Sequence, residues 1–533
     1  MRPALWLIFA PLLIAQNAVY KISGTVVESA TNHPLPRILV QIASTQARNA
    51  TQSVITGADG AFSFANIPPG KYSLSAGRSN SGMQLYQGEE GFSTAIVVGP
   101  DLNSEGIIFP LQKSASISGT VLDEEGTGLR GAQVHLYWQH LVSGRLELTG
   151  PGTQVTKSSG QFRFGHLQEG TYYLAVQAHP WYAQNGGPAM MNSTNAAQNS
   201  GEAQQFDVAY PLTYYADATN PASATPITLA SGGTASVQMT LRPVPAIHVR
   251  LPDMQTKPGM GSMVMVSALG PGGQKIMTGH HPIFIDGHQE LTGLAPGRYE
   301  ISMQTFQNGQ QHLVGTKTTD LQNGSAIDFN GASSLSISGH ITFEGKPRPP
   351  DPLMLLFTRP GSVFAQAPIA ADGTFQAGIG NFSPGRYHLV LPNREGFVIQ
   401  SATVKGGKWK DGQLELTEGA NVQISLLATA NATKLDGIAL RDDKPAPGAM
   451  VLLLPTDPDR SDLIRRDQSD SDGTFTLPNV LPGRYRLLAI DNGHGLAYAE
   501  PAVLKPYLAA AQIITVDAGK SSPVKVNVQT RLP

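Results

Sequence analysis

The chain has 533 residues, of which only 14% are charged, and its net charge is −2. So sparse and balanced a charge set excludes a global electrostatic pull toward nucleic acid or an anionic membrane surface. With no cysteine there is no disulfide framework, thiolate metal site or cysteine nucleophile, and the 57 Gly and 39 Pro fit many short strands joined by turns.

In chain order, Arg2 precedes an apolar run over 4–15 that contains Pro11, and Ala15 and Ala18 offer cleavage points. This reads as a signal peptide over 1–18, too short to span a bilayer comfortably. No lipoprotein cysteine follows and no later segment approaches a membrane span. The sequence therefore predicts an exported protein (periplasmic, surface-held or released) with no transmembrane span in the mature chain.

A short pattern then recurs five times. Asp59-Gly60 leads to Gly70-Lys71-Tyr72, and Ser159-Gly160 to Gly170-Thr171-Tyr172. The later copies run from Asp286-Gly287 to Gly297-Arg298-Tyr299, Asp372-Gly373 to Gly385-Arg386-Tyr387, and Asp472-Gly473 to Gly483-Arg484-Tyr485. The step from the first turn residue to the second glycine is 11 in four copies and 13 in the fourth. The tyrosines lie 100, 127, 88 and 98 residues apart, a spacing suited to domain-sized units.

Each copy opens with an alternating strand, such as Ile22-Ser23-Gly24-Thr25-Val26, Ile117-Ser118-Gly119-Thr120-Val121 or Ile337-Ser338-Gly339-His340-Ile341. Leu435-Asp436-Gly437 is a looser match, and Ile247-His248-Val249 lacks the glycine. A Pro or Gly turn and an apolar strand follow. The Asp-Gly pair is expected to close a tight hairpin, because that dipeptide supplies the positive φ angles of a primed turn. The tyrosine is expected to be a corner residue, its ring in the core and its hydroxyl on nearby backbone. About seven short strands per copy predict an all-β tandem array of five antiparallel sandwiches. The expected units are 19–113, 114–243, 244–332, 333–430 and 431–533. Short linkers predict an elongated, semi-rigid row. The second unit carries an insertion, 183–205, rich in Asn, Gln, Gly and Ala, which is expected to be a mobile loop.

These motifs resemble the carboxypeptidase regulatory-like domain. The residues that carry the likeness are Ile-Ser-Gly-Thr-Val at 22–26 and 117–121, Asp-Gly-x-Phe at 59–62 and Pro-Gly-x-Tyr at 69–72. It extends to the fourth and fifth copies and is partial in the third. The resemblance implies a transthyretin-like (prealbumin-like, Greek-key) sandwich related to carbohydrate-binding folds, in a secreted bacterial repeat protein. In carboxypeptidases this domain is an accessory beside the zinc enzyme, so a binding or spacing role is implied here by analogy.

The chain lacks His-Glu-x-x-His and Gly-x-Ser-x-Gly, so no catalytic residue, metal or cofactor is assigned. His280, His281 and His288 read as exposed hairpin histidines. The acidic run of Asp457, Asp459, Asp462, Asp467, Asp470 and Asp472 is interleaved with Arg460, Arg465 and Arg466. It reads as a solvated hairpin, with weak calcium binding near Asp470 and Asp472 left open. Trp409 reads as an exposed loop residue.

The ligand-binding candidates are aromatic: Trp138, Trp181, Tyr182, Tyr214 and Tyr215, with Tyr210 beside them. Flat rings around the insertion suit stacking on sugar faces. The other reading is that they fill the second unit's core. Three functions remain open: a non-enzymatic binder of glycan or a cell-surface protein, a structural spacer or adhesion stalk, and a non-catalytic accessory to a hydrolase. The sequence does not fix the oligomeric state.

Overall fold

The computed structural model describes residues 19–46, 51–78, 82–183, 206–252, 261–285, 288–307, 310–327, 329, 336–359, 362–377, 382, 385–392, 396–417, 421–519 and 522–532. The signal-peptide segment and all but the first residue of the insertion lie outside them. Strands dominate, and the one α-helix among the described residues is Pro501–Leu504. The chain divides into two compact units. One holds residues 1–112, 439–449 and 468–474; the other holds 113–438, 450–467 and 475–533.

In the first unit, β1 (Tyr20–Glu28), β2 (Leu39–Ser44), β3 (Thr51–Ile55), β4 (Ala61–Ile67), β5 (Gly70–Arg78), β6 (Gly82–Leu85), β7 (Ile96–Val98) and β8 (Ile107–Leu111) form two facing sheets. One has the order β4-β1-β8; the other has β3-β2-β5-β6, with β7 also on β5. Alternate residues point inward, so Ile22, Val26, Val40, Ile42, Phe62, Phe64, Leu74 and Phe109 make one core. The pairs are antiparallel except β1 with β8, which run parallel. The same parallel closure joins Ala115–Leu122 to Thr234–Thr240 and Ser336–Glu344 to Asn421–Thr429.

The glycine of the opening motif is fixed by that closure. A Cβ on Gly24 would stand 2.1 Å from the carbonyl oxygen of Ile107 on β8. At Gly119 and Gly339 it would meet both the closing strand and a ring, Phe162 at 2.7 Å and Phe375 at 2.5 Å. Each glycine lies opposite the Phe that follows the Asp-Gly turn: Gly24 faces Phe62, Gly119 faces Phe162 and Gly339 faces Phe375. Two distant motif positions are thus one cross-strand pair, the ring lying where a side chain is missing. In the third copy Val249 faces Leu291, so an aliphatic pair replaces glycine and ring.

Among the described residues the tyrosine corner is seen in four copies. The hydroxyls of Tyr72, Tyr172, Tyr299 and Tyr485 donate to the carbonyls of Pro68, Gln168, Ala295 and Leu481, at 3.0, 2.8, 2.8 and 2.8 Å. The partner is always four residues back. That rule explains why the spacing of the Gly-x-Tyr step is kept.

The Asp-Gly pair joins a hairpin in the third copy, where Ile283–Ile285 pairs antiparallel with His288–Leu294, but the expectation is corrected in the first two copies. β3 pairs with β2 and β4 with β1, so the turn carries the chain from one sheet to the other. The second copy does the same between Arg145–Val155 and Gln161–Leu167. Nor is the turn primed. Gly60 alone of the pair is left-handed, at φ 72°, while Asp59 Oδ1 accepts from the Ala61 amide at 3.1 Å.

The first unit also contains two segments of the fifth copy, which a simple row of repeats did not predict. Gln468 Nε2 donates to Gln87 O at 2.8 Å and Thr94 Oγ1 at 2.9 Å. The amides of Ala95 and Val97 donate to Asp470 Oδ1 and Ser471 Oγ at 3.1 and 2.8 Å. Lys71 Nζ binds Asp470 Oδ2 and donates to Thr474 Oγ1 at 2.9 Å. The acidic run is therefore solvated only at its start, where Asp457 and Asp459 are exposed. Asp470 is buried, Asp462 is paired with Arg460, and Asp467 accepts from the Thr476 amide.

In the second unit, separate cores occupy 115–241, 247–329, 337–428 and 450–507. A further cluster of Tyr137, Ala175, Tyr214 and Ile276 joins the second copy to the third. Trp409 lies on strand Lys408–Lys410 and packs against the core of 337–428, so it is not a loop residue.

Candidate functional site

The five candidate rings divide between core and surface. Trp138, on strand Gln133–Val142, lies opposite Tyr172 and packs against the second core. Its ring stacks on His140 at 3.9 Å and 12°, and on Tyr172 at 6.3 Å and 14°. Its Nε1 lies over Gly170, where a Cβ would stand 2.7 Å away. Tyr215 packs against the same core. Tyr214 is 2% exposed in the cluster joining the second and third copies, and its hydroxyl donates to Leu269 O at 3.3 Å. As a ligand-stacking ring Tyr214 is corrected: it is buried within the protein.

Trp181 and Tyr182 differ. They follow strand Gly170–Gln177, after Pro180, and Trp181 is 82% exposed. Tyr182 stands edge-on to Trp181 at 5.6 Å and 88°, and edge-on to Phe206 at 6.0 Å and 86°. Phe206, beyond the insertion, is bridged to Ala183 and is itself 52% exposed. Three rings from the two ends of the insertion thus share one surface, apart from Trp138.

Hydrogen bonds fix that surface from behind. Glu124 accepts from the hydroxyls of Tyr182 and of buried Tyr210, the latter at 2.6 Å. Burial opposes the charge on Glu124, but the two phenols outweigh it and hold its carboxyl below the ordinary value. Desolvation, then the neighbouring carboxylate, pushes the Tyr182 phenol up to about 12. Tyr182 therefore stays a neutral donor at physiological pH with its ring orientation set. Glu124 and Phe206 were missed in the sequence. The available signals were an acidic turn, Asp123-Glu124-Glu125-Gly126, in a chain poor in charge, and an aromatic closing the insertion.

The histidines do not form one cluster. His288 is bonded by Arg250. His280 is half-buried rather than exposed, its ring 5.0 Å from that of His179, and burial pushes it down to about 4. Among the described residues no three His, Asp or Glu side chains gather to hold a metal ion. Nor is any helix there long and apolar enough to cross a membrane.

Comparison with known proteins bears on the repeat. Residues 21–91 match the carboxypeptidase regulatory-like domain. That segment contains the first opening strand, the Asp-Gly turn and the first tyrosine corner. No curated protein sequence matches the chain. Among solved structures, the minor pilin GBS52 of Streptococcus agalactiae gives a TM-score of 0.23 at 15% identity, covering 45% of this chain and 100% of its own. The shaft pilin SpaA of Lactobacillus rhamnosus GG gives 0.20 at 8%, covering 43% and 98%. The Bacillus anthracis TIE protein gives 0.18 at 9%, covering 97% and 75%. Likenesses at this level carry no argument about function.

Proposed function

We propose that this is an exported, non-enzymatic binding protein whose second copy presents Trp181, Tyr182 and Phe206 to a carbohydrate. The observation that carries the reading is the exposure of Trp181, 82%, beside a tyrosine whose ring is oriented by Glu124. A tryptophan left in water forgoes burial worth on the order of 25 cal/mol per Å² of apolar area, so so exposed and supported a ring suits a face that a ligand covers. A pyranose offers a flat C–H face to the indole, and its hydroxyls can meet the carboxylate and phenols behind. The division at 113/114, 243/244, 332/333 and 430/431 into five sandwiches belongs to the same proposal, and limited proteolysis tests it.

The direct test is a glycan array probed with the mature chain and with the Trp181→Ala, Phe206→Ala double variant. Binding that disappears in the variant supports the reading. An array with no bound glycan, or the same glycans bound by both proteins, overturns it. The spacer or adhesion-stalk reading draws on the apolar joint of Tyr137, Tyr214 and Ile276 between two copies, and it expects an array with no bound glycan.

A further inference from the structure

The first unit carries a second surface, unrelated to the rings. β3 is the outer strand of its sheet. The Thr56 amide donates to Ile38 O, and ladder alternation then turns the amides of Gln52 and Val54 toward β2. Those of Thr51, Ser53 and Ile55 face outward, and among the described residues nothing bonds to them. Two other copies have a side chain bonded onto the corresponding edge. In the second copy Gln274 Nε2 donates to Leu148 O at 2.8 Å, and in the third Gln177 Nε2 donates to Met277 O at 3.2 Å. β3 has no such cover. It also lacks the usual protection of an exposed edge: Thr51–Ile55 contains no lysine or proline, and its register with β2 has no bulge.

The outward face of this edge has a definite chemistry. Leu39 lies between Ile55, 68% exposed, and Gly77, which has no side chain, so the sheet surface there is an apolar trough. Pro36, Arg37 and Arg78 complete its lining. Arg37 is held left-handed, at φ 58°, an unusual state for a side chain of its size. Neither guanidinium has an ion-pair or hydrogen-bond partner among the described residues.

We propose that β3 is a docking edge for an extended peptide segment that carries acidic residues beside apolar ones. The peptide adds a strand to β3, lays an apolar side chain over Leu39 and Ile55, and gives its carboxylates to Arg37 and Arg78. Charge decides between this occupant and a second copy of the chain. Thr51–Ile55 of another copy brings no carboxylate to two arginines.

The test uses the mature chain and a fluorescein-labelled peptide of alternating Val and Thr ending in Asp and Glu, followed by anisotropy. Binding is expected to weaken by about tenfold with the Asn/Gln form of the peptide, and by about the same in Arg37→Glu or Arg78→Glu, as loss of a charge-assisted bond implies. Ser53→Pro, which removes one outward amide, is expected to abolish it. The arginine variants keep the fold whatever Ser53→Pro does, and unchanged thermal midpoints check this. No binding, or equal binding by both peptides and all variants, overturns the proposal. Self-association sensitive to Ser53→Pro without peptide binding also overturns it, in favour of copy-to-copy pairing.

Discussion

Trp138 and Trp181 belong to the same copy and were equal candidates by residue type, yet they do opposite work. Trp138 is held on a strand between His140 and Tyr172, with Gly170 beneath its indole nitrogen. Trp181 lies beyond the end of the neighbouring strand and is open to solvent, while Tyr182 and Glu124 support it from one side. What separates them is cross-strand address. A ring that faces a strand partner is used by the sheet, whereas a ring beyond the strand end is free for something else.

The largest expected effect strikes the framework both rings hang on. Gly119→Val places methyl groups against Val237 O and the Phe162 ring, and should cost about 3 kcal/mol or more, read as a fall in the urea midpoint. The two tryptophans come next. Trp138→Ala should destabilise the chain by about 3 kcal/mol, while Trp181→Ala should stay within about 0.5 kcal/mol of wild type. Equal losses would erase the distinction drawn between them.

Acid sharpens it further, because His179 lies two residues before Trp181. The ring of His280 is pushed from its ordinary 6.5 to about 4 by burial, with the charges of His179 and His281 acting in the same direction. Burial also pushes His179 down. The unfolded chain therefore takes up these protons at higher pH than the folded chain does. This contribution to stability is complete above pH 6.5 and is lost as pH falls toward 4, by about 2 kcal/mol or more. His280→Gln should flatten that slope in urea titrations at pH 7 and pH 4.5. A slope identical to wild type would remove the histidine pair from the account. The smallest loss expected of a buried side chain is that of Tyr172→Phe, which forfeits one hydroxyl bond to Gln168 O and should cost about 1 kcal/mol.

The fold was legible where the sequence encodes a local rule. The Gly-x-Tyr step marked a tyrosine corner, whereas the pairing of the opening glycine with the Phe after Asp-Gly emerges only in the sheet. The third copy, lacking both, was recognised as diverged and holds an aliphatic pair instead. What could not be read depends on partners far away in sequence. Asp-Gly needs one positive φ whether the chain doubles back in a sheet or crosses between sheets. Asp470 looked solvated because its partner, Lys71, lies in the first copy. Tyr214 looked available because the third copy that buries it is not part of its own pattern. The site was half legible: Trp181 and Tyr182 stood out as aromatics beside a polar insertion, whereas Glu124 acts through a turn on the other sheet's opening strand.

Titration calorimetry of the mature chain with a glycan selected on the array, wild type against Trp181→Ala, asks whether a sugar covers the exposed indole. The substitution is expected to weaken binding by about tenfold or more while leaving the thermal midpoint in place. Equal affinity in the two proteins would contradict it, as would a glycan whose binding is lost with Trp138→Ala but not with Trp181→Ala.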